Sequence, residues 1–262
     1  MTFVSSISGQ WIEEGQPGYD GGVVPRDRAE SPLCCGAGSG RVELPLIPEN
    51  EWLECIEQME AAEARSVDLR EQTGLKSLNQ GRTNSCWAQC VVQNFHYRQR
   101  QLGYTSTPLS SGSVVGPVKK WRNVGGMVSQ AIEHIHDDGI VPASMFPANA
   151  VGRDSRRYYT DEAVIAAQDY KALDWWDVEP NNGPELATCL LSGFQVGICY
   201  LWMRHAVLAI DLVSTPKGLA VLCDNSGYGR DRNGLTVIPI RKAFDFDDAV
   251  AIRSITAMGA AA

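Results

Sequence analysis

The sequence lacks the features that would assign it to a membrane, to a secretory route or to nucleic acid. Its N-terminus, MTFVSSISGQWIEEGQPGYDGG, has neither a basic start nor an apolar stretch, so we predict no signal peptide. The most apolar run, about residues 187–202, is interrupted by polar residues and glycines and is shorter than the ~20 apolar residues that a membrane helix needs. No cluster of Lys and Arg is present, and a formal charge of −8 repels a phosphate backbone. We therefore expect neither a membrane nor a nucleic acid as partner.

Metal-ligand and disulfide patterns are also missing. The eight cysteines, at positions 34, 35, 55, 86, 90, 189, 199 and 223, include no Cys-x-x-Cys pair, and no histidine stands at zinc-ligand spacing. A disulfide framework is typical of small secreted chains, whereas this chain has 262 residues. For every cysteine except Cys86 we expect a buried, reduced thiol in a reducing compartment such as the cytoplasm, and we expect no metal or other cofactor.

What the sequence does contain is enough apolar material for one large domain or two lobes, with 44% hydrophobic and 21% charged residues. Residues 1–48 are rich in Gly, Pro, Ser and Asp, so residues 1–60 are predicted to form an irregular extension with one helix at about 50–65. Apolar periodicity predicts three further helices. They start at Ser85 or Cys86 and end before Gly103, cover Met127 to His136, and cover about Asp161 to Ala172.

Four short β-branched runs follow these helices along the chain. They are FQVGICYLW, HAVLAIDLV, GLAVLCD and GLTVIPI, and Gly, Pro and Asx turns separate them, which is typical of an antiparallel sheet. Helices first and strands second predict an α+β fold for residues 61–262, with a helical lobe at about 67–150 beside a β lobe at about 173–262. A cleft between the two lobes is the expected place for a site.

Cys86 is the strongest candidate for a nucleophile. It falls in the first turn of a predicted helix, where the helix dipole lowers the pKa of a thiol. The backbone N–H groups of such a turn have no partner within the helix and can donate to an oxyanion. Gln80, six residues earlier on a loop, can add its side-chain amide to the same oxyanion.

One of the four histidines is well placed to serve Cys86. His96 lies ten residues into the same helix, roughly 15 Å along its axis, and cannot reach the sulfur. The two histidines of EHIHDD (residues 133–138) lie in a separate acidic helix, where solvated or capping roles are expected. His205 opens a strand, and Asn225 follows the next strand, so pairing of the two strands can bring the amide next to the imidazole.

Together these residues resemble the papain family of cysteine peptidases. The family's block Gln-Gly-x-Cys-Gly-Ser-Cys-Trp-Ala appears as QGRTNSCWA in residues 80–88, and the order Cys, His, Asn is kept along the chain. Residues 67–70 (VDLR) look like a strand near the start of the family's domain. The other matching positions, which extend to about residue 240, are 78–81, Leu109-Ser110, Gly125-Gly126, Gly139-Ile140, Phe146-Pro147, 205–207 and Asn225-Ser226.

The resemblance implies hydrolysis of a protein or peptide substrate through an acyl-enzyme. Cys86 would attack the scissile carbonyl, and His205 would hold and then return the proton. Asn225 would orient the imidazole, and Gln80 would donate to the oxyanion. The resemblance also implies a substrate-binding surface with an apolar pocket for the P2 residue. Its residues would be Gly125, Gly126, Met127, Val128, Met203 and Ala206.

Several positions depart from the family's pattern. Gly227 stands where a tryptophan usually shields the Asn–His hydrogen bond, and Tyr228 is a candidate substitute. Thr83 and Asn123 stand near the positions of a usual disulfide, and Arg204 replaces an acidic or neutral residue before the histidine. The extension is too short for the family's inhibitory propeptide, which leaves open that it lies across the surface or the cleft.

Three functions stay open from the sequence. The first is an active thiol endopeptidase, which the presence of all four polar site residues favours. The second is a structural or interaction protein that uses the papain fold within a larger assembly, such as a virion, that orders the N-terminal extension. The third is transfer to an amine, or hydrolysis of a cell-wall amide, by the same Cys–His chemistry.

Overall fold

The computed structural model describes residues 10–11, 22–34, 36–227 and 233–256. The helices of these residues are α1 (Trp52–Ala61), α2 (Ser66–Thr73), α3 (Cys86–Gln101), α4 (Gly112–Val118), α5 (Val128–Asp137), α6 (Asp161–Ala167), α7 (Gly183–Leu191) and α8 (Ile240–Ala243), with 3₁₀ turns at Glu49–Glu51 and Arg153–Tyr158. The strands are β1 (Gln10–Trp11), β2 (Ser39–Gly40), β3 (Ala172–Asp177), β4 (Val196–Tyr200), β5 (His205–Thr215), β6 (Gly218–Asp224), β7 (Leu235–Pro239) and β8 (Asp248–Ile255).

Within the described residues these strands form one sheet in the order β1-β7-β6-β5-β4-β8-β3-β2. The pairs from β7 through β3 are antiparallel, whereas β1 joins β7 and β2 joins β3 in parallel. The N-terminal stretch therefore contributes both outer strands. The α+β class predicted from the sequence is confirmed.

The sheet separates two apolar clusters, because side chains of a strand alternate between its faces. On one face, α3 buries Trp87 and Phe95 against the Leu208 side of β5. On the other face, α1 and α7 pack with Val207 and Ala209 of the same strand. Phe95 is fully buried, which stabilises the fold by about 1.5–3 kcal/mol for that side chain. The long helix α3 is thereby fixed along the sheet, and its first residue is fixed with it.

Residues 67–70 form part of the helix α2 rather than the strand that the family resemblance implies. The Asp211 carboxylate accepts the N–H groups of Ser66 and Val67 at 2.8 and 2.9 Å, which caps the start of the helix. Gly74, with φ of 65°, ends it in the left-handed conformation that favours glycine. Both caps depend on residues outside the VDLR motif.

The sequence missed the strands β3 and β8, which lie side by side in the sheet. The fourth predicted helix ends at Ala167, and β3 begins at Ala172. An acidic run such as residues 245–248 is typical of a solvated turn, but its last residue is part of the sheet. Asp248 begins β8 and is 1% exposed.

The described part of the extension packs on the body of the protein. The helix predicted at about 50–65 spans Trp52–Ala61, and its Trp52 and Ile56 side chains belong to the second cluster. The boundary near residue 60 stays a prediction. Six of the described cysteines, at positions 55, 86, 90, 189, 199 and 223, are free thiols, and Cys35 lies outside the described residues. None of the helices in the described part of the chain combines the length and apolarity needed to cross a bilayer.

Candidate active site

Cys86 is the first residue of α3, and its thiol is buried. The Ser85 carbonyl accepts the Ala88 N–H at 2.9 Å and so starts the helix. The backbone N–H groups of Cys86, Trp87 and Ala206 lie close to the sulfur. Burial nevertheless raises the pKa of the Cys86 thiol to about 12, because these three donors offset only part of the desolvation. The low thiol pKa expected at a helix terminus is therefore absent in this covered state.

The contact with Ala206 brings the start of β5 to the Cys86 thiol. Ala206 follows His205 directly, and β5 begins here because residues 201–204 form a tight turn. The Arg204 N–H donates to the Leu201 carbonyl at 3.1 Å, and Arg204 takes a φ of 51°. A helix end from the first half of the chain and a strand start from the second half thus meet at the sulfur.

The imidazole of His205 is held by Asn225 at 2.9 Å, between Nε2 and Oδ1. The Asn225 Oδ1 also accepts the Gly227 N–H at 2.9 Å, while its Nδ2 donates to the Thr236 hydroxyl at 3.1 Å. Because the amide presents its oxygen to the ring, Nε2 is the nitrogen that carries the proton, and the basic nitrogen is Nδ1. Burial lowers the pKa of His205 to about 4, although the Asn225 bond opposes that shift.

The family's shielding tryptophan is absent, yet both partners of this bond are buried. His205 and Asn225 are each 0% exposed. Tyr228, the predicted substitute, lies outside the described residues. Among the described residues, Thr236 is fully buried beside Asn225 and contributes to the cover.

Gln80 is linked to the loop that carries Asn225. Its backbone N–H donates to the Ser226 carbonyl at 3.1 Å, and its Oε1 accepts the Ser226 hydroxyl at 3.0 Å. Its Nε2 donates to the Thr83 carbonyl at 2.9 Å, three residues before Cys86. An amide nitrogen carries two hydrogens, so this bond uses one of the two that Gln80 has.

The other three histidines have structural environments. His134 contacts Asp138 at 2.9 Å, and His136 Nδ1 lies 3.0 Å from the Ala172 carbonyl. His96 is buried in α3, and burial lowers its pKa to about 4. The structure brings none of these three to the sulfur of Cys86, which lies at the opposite end of α3 from His96.

An N-terminal strap, residues 22–34, covers the thiol of Cys86. A β-carbon placed on Gly22 would lie 2.4 Å from Cys86 Sγ and 3.5 Å from the Arg204 carbonyl oxygen. Real β-carbons do not approach sulfur this closely, so the strap passes over the thiol only because residue 22 is glycine. The strap therefore occupies the space in which a reacting carbonyl would have to stand.

The strap pairs with Gly126 in the manner of an added strand. The Val24 N–H donates to the Gly126 carbonyl at 3.1 Å, the Gly126 N–H donates to the Gly22 carbonyl at 3.4 Å, and Val23 lies opposite as a parallel bridge. A β-carbon on Gly126 would lie 2.5 Å from the Trp87 ring, so only glycine lets this segment lie flat against α3. Gly126 thus offers its backbone to an extended chain.

The predicted substrate-binding residues divide into two groups. Gly126, Met127 and Val128 are buried at the junction that leads into α5, next to the half-buried Gly125. Ala206 belongs with Val128 to the cluster on the α3 face. The structure does not bring Met203 to them, since its side chain belongs to the cluster on the other face of the sheet.

Two asparagines link the loops that a disulfide usually joins in the family. The Asn84 N–H donates to Asn123 Oδ1 at 2.8 Å, and the Asn84 Nδ2 donates to the Asn123 carbonyl at 3.3 Å. Thr83, named from the sequence as a disulfide position, bonds instead to Gln80 at 2.8 Å. Hydrogen bonds thus take the place of the covalent clamp beside Cys86.

The sequence patterns described above did not predict the buried ion cluster that anchors the strap. Arg26 contacts Asp177 at 3.0 Å and Asp248 at 2.9 Å, and all three side chains are almost fully buried. Burial disfavours the charge on Arg26, but its bonds to the two carboxylates outweigh that effect and raise its pKa. A signal was present in the sequence, since Asp177 and Asp248 each adjoin a short apolar run, WW and AVAI.

Comparison with known proteins gives matches by structure but not by sequence. No protein-family model matches the chain, and no curated protein matches it. The structure is similar to xylellain, a cysteine protease from Xylella fastidiosa, with a TM-score of 0.58 and 18% identity over 69% of this chain and 83% of that one. It is also similar to the bromelain protease of Ananas comosus, solved with the E64 inhibitor, with a TM-score of 0.56 and 17% identity over 71% and 97%.

A third similar structure contains a proenzyme. Digestive procathepsin L 3 of Tenebrio molitor larval midgut matches with a TM-score of 0.56 and 18% identity over 67% of this chain, and the chain spans 65% of its length. The sequence identities are too low to carry residue roles, but the shared arrangement of helices and sheet is clear. The chain has the two-lobe papain-like fold of cysteine proteases.

Proposed function

We propose that this protein is a cysteine peptidase that hydrolyses peptide bonds with Cys86 as nucleophile. The observation that supports this most is the meeting of two separate elements. The Cys86 thiol at the start of α3 lies against the Ala206 N–H at the start of β5, and the preceding His205 is oriented by Asn225 at 2.9 Å. We infer that Cys86, His205 and Asn225 serve as the nucleophile, its base and the group that orients the base. Acyl transfer requires these three groups.

In the first half of the reaction, Cys86 loses its proton to His205 Nδ1 as Sγ attacks the carbonyl carbon. The N–H of Cys86 and the Gln80 amide donate to the oxyanion, and each such donor is typically worth about 3–4 kcal/mol in the transition state. The C–N bond then breaks, and the imidazolium gives its proton to the leaving amine. A thioester remains on Cys86.

In the second half, water attacks the thioester while His205 takes one of its protons. The C–S bond breaks, the acid product leaves, and the proton returns to the sulfur. Asn225 holds the ring by its Nε2–H throughout, so that Nδ1 faces the sulfur in both halves. The cycle regenerates the thiol and consumes one water, with no cofactor.

The strap has to leave the cleft before this chemistry can start. In the covered state, burial raises the pKa of Cys86 to about 12 and lowers that of His205 to about 4, so the thiol and imidazole are both neutral near pH 7. Displacement of Gly22 admits water to Cys86 and His205. The charged thiolate and imidazolium, which are the reactive forms, are then restored. The proposed enzyme is therefore latent while residues 22–34 stay in place.

Substrate preference follows from the residue that the strap presents to Gly126. Val23, an apolar side chain, lies opposite Gly126, beside Met127. We expect an apolar substrate residue at this position, the P2 position implied by the family resemblance. Equal cleavage of matched peptides with Asp and Leu at P2 would contradict this expectation.

A second candidate function is a papain-fold scaffold or interaction protein without turnover. The observation in its favour is the internal closure of the cleft, with Gly22 against the sulfur and Arg26 buried between two aspartates. A permanently closed strap would make the Cys–His pair a remnant. Assembly into a virion or another large particle remains part of this second candidate.

Labelling with a thiol-directed epoxide, followed by mass mapping, tests the proposed function. Wild type, Cys86→Ala and Cys90→Ala would be compared, with turnover of a fluorescent protein substrate measured in parallel. We expect label and turnover to be lost in Cys86→Ala and kept in Cys90→Ala, whose thiol is buried in the core. An unlabelled Cys86 in a folded chain, even when Gly22→Ala displaces the strap, would favour the scaffold.

A further inference from the structure

Asp177 and Asp248 form a buried pair of carboxylates beside the cleft. They are 2% and 1% exposed, and they lie on the adjacent strands β3 and β8. Among the described ion pairs, both contact the same cation, Arg26 of the strap. Two carboxylates at such a depth are stable together only with a positive charge between them, because each alone resists desolvation and repels the other.

The contacts of Arg26 match what a guanidinium group requires. Its Nη1 donates to Asp177 Oδ1 and Asp248 Oδ1 at 3.0 and 2.9 Å, and its Nη2 donates to Asp177 Oδ2 at 3.2 Å. Its Nε and Nη2 also donate to the carbonyls of Ser31 and Pro32, each at 2.9 Å. Every nitrogen of the planar guanidinium group donates a hydrogen bond. This arrangement favours arginine over lysine, whose ammonium group is a point charge.

The pair is continuous with the proposed substrate-binding surface. The Asp248 Oδ2 accepts both the N–H and the hydroxyl of Ser129, at 3.0 and 3.1 Å, in the first turn of α5 directly after Met127 and Val128. Asp248 is also paired with Cys199, which is paired with Ala206 next to the nucleophile. The pocket therefore lies on the Gly126 side of Cys86, and one strand, β4, separates Asp248 from Ala206.

The strap reaches this pocket as an extended peptide would. Gly22 lies on the sulfur, Val23 lies opposite Gly126, and Arg26 follows three residues later. The backbone N–H of Arg26 donates to Asp247 Oδ2 at 2.8 Å, so the main chain is held at this point as well as the side chain. When the strap leaves, the carboxylate pair loses its cation and is left at the end of an open groove.

We propose that Asp177 and Asp248 form a specificity pocket for a basic side chain, arginine above all, of a peptide bound in the cleft. The proposal rests on the proposed peptidase function and names its substrate class: peptides with an apolar residue opposite Gly126 and an arginine about three residues further from Cys86. Arg26 fills the pocket in the covered state, and substrate competes with it. The pair is thus both the anchor of the strap and the recognition site of the substrate.

Peptide binding to the full-length chain tests the pocket independently of catalysis. The Cys86→Ala/Arg26→Met variant has an inert nucleophile and a vacated pocket. The probe is a fluorescent peptide with the sequence of residues 22–32, compared by anisotropy with the same peptide carrying citrulline, which keeps the shape but not the charge, in place of arginine. We expect the arginine peptide to bind at least about tenfold more tightly. Equal affinities would overturn the proposal, since Arg26 would then be only an internal anchor.

Two acid variants in the same background sharpen the result. Asp248→Asn should reduce the arginine–citrulline ratio to about one, whereas Asp247→Asn should weaken both peptides equally, because Asp247 contacts the backbone of residue 26. Thermal melts check that each variant folds. If Asp248→Asn does not fold, the comparison between the two peptides still decides the question.

A cleavage assay separates this proposal from the proposed function. Arg26→Met with Cys86 intact is given matched substrates that contain arginine or citrulline at the same position. Discrimination in binding without any cleavage would support the pocket and contradict the peptidase. Cleavage of both substrates at equal rates would overturn the pocket and leave the peptidase standing.

Discussion

Gly22 packs against Cys86 so closely that a β-carbon on Gly22 would lie 2.4 Å from the Sγ atom. The nucleophile of the proposed peptidase is therefore covered by a residue sixty-four positions earlier in the same chain. The Val23–Gly126 pairing and the buried Arg26 cluster hold the strap in that position. Access to Cys86 is controlled by how strongly these two anchors resist displacement.

Gly22→Ala should uncover the nucleophile. The added methyl group cannot occupy its place beside the sulfur, and relief of an overlap of this kind typically costs about 1–3 kcal/mol. The fraction of open strap, and with it the rate of Cys86 labelling by an epoxide, should rise by about 5- to 150-fold. The rate is measured by intact mass over time.

Gly40→Ala is the matched control for this change. A β-carbon on Gly40 meets nothing within 4 Å, so the same substitution in β2 should leave the labelling rate unchanged. Equal rates in wild type and Gly22→Ala would show that the strap does not limit access to the thiol.

Arg26→Met should destabilise the protein strongly, because it leaves Asp177 and Asp248 buried without their cation. Breaking a buried ion pair in this way costs about 3–5 kcal/mol, measured by urea unfolding. Arg28→Met is the control, since Arg28 is half-buried and donates to a backbone carbonyl, and its loss should cost about 1 kcal/mol.

The cost of Arg26→Met should also depend on pH. Burial raises the pKa of Asp248, and Arg26 lowers it again, so loss of Arg26 moves the folded-state pKa further above the unfolded value of about 3.9. A carboxyl group with a raised folded-state pKa stabilises at low pH and loses that effect as pH rises. The difference in unfolding free energy between wild type and variant should therefore shrink from pH 8 to pH 5. A constant difference would contradict this assignment.

Asn225→Ala should slow turnover without preventing folding. The imidazole would lose the acceptor that fixes its Nε2–H, and kcat/KM should fall by about 10²-fold. Thr236→Val removes the partner of the Asn225 Nδ2 at 3.1 Å but leaves the His205 bond, so its effect should be smaller. The measurement is steady-state cleavage of a fluorogenic peptide, and a larger loss for Thr236→Val would contradict the assigned orientation of the amide.

Asp211→Asn should change how stability depends on pH. Burial raises the pKa of Asp211 to about 7, against the N–H bonds from Ser66 and Val67, whereas the unfolded value is about 3.9. The folded protein therefore binds the extra proton between these values, and stability falls as pH rises from about 4 to 7. Urea unfolding across this range should show a flatter profile for Asp211→Asn, with Asp169→Asn, an exposed carboxyl, keeping the wild-type slope.

Local patterns in the sequence account for much of the fold. Short β-branched runs bounded by turn residues predict β4 to β7, and the apolar stripe of α3 predicts that helix almost to its last residue. Residues 67–70 form part of the helix α2 and not the strand that the resemblance implies. One reason is that the carboxylate that caps the helix, Asp211, comes from the distant strand β5. The strand β8 was missed because its first residue is an aspartate whose burial depends on Arg26.

The nature and order of the groups in the candidate site can be read from local sequence patterns. A cysteine at a helix start, a histidine at a strand start and an asparagine after the next strand are local features, set by helix ends and by period-two alternation. That the thiol is covered is visible only in the folded chain, because the contact of Gly22 with Cys86 joins segments with no shared local pattern. The sharing of one arginine by Asp177 and Asp248 is likewise visible only after folding. The three charges form a buried cluster only when folding removes the water between them.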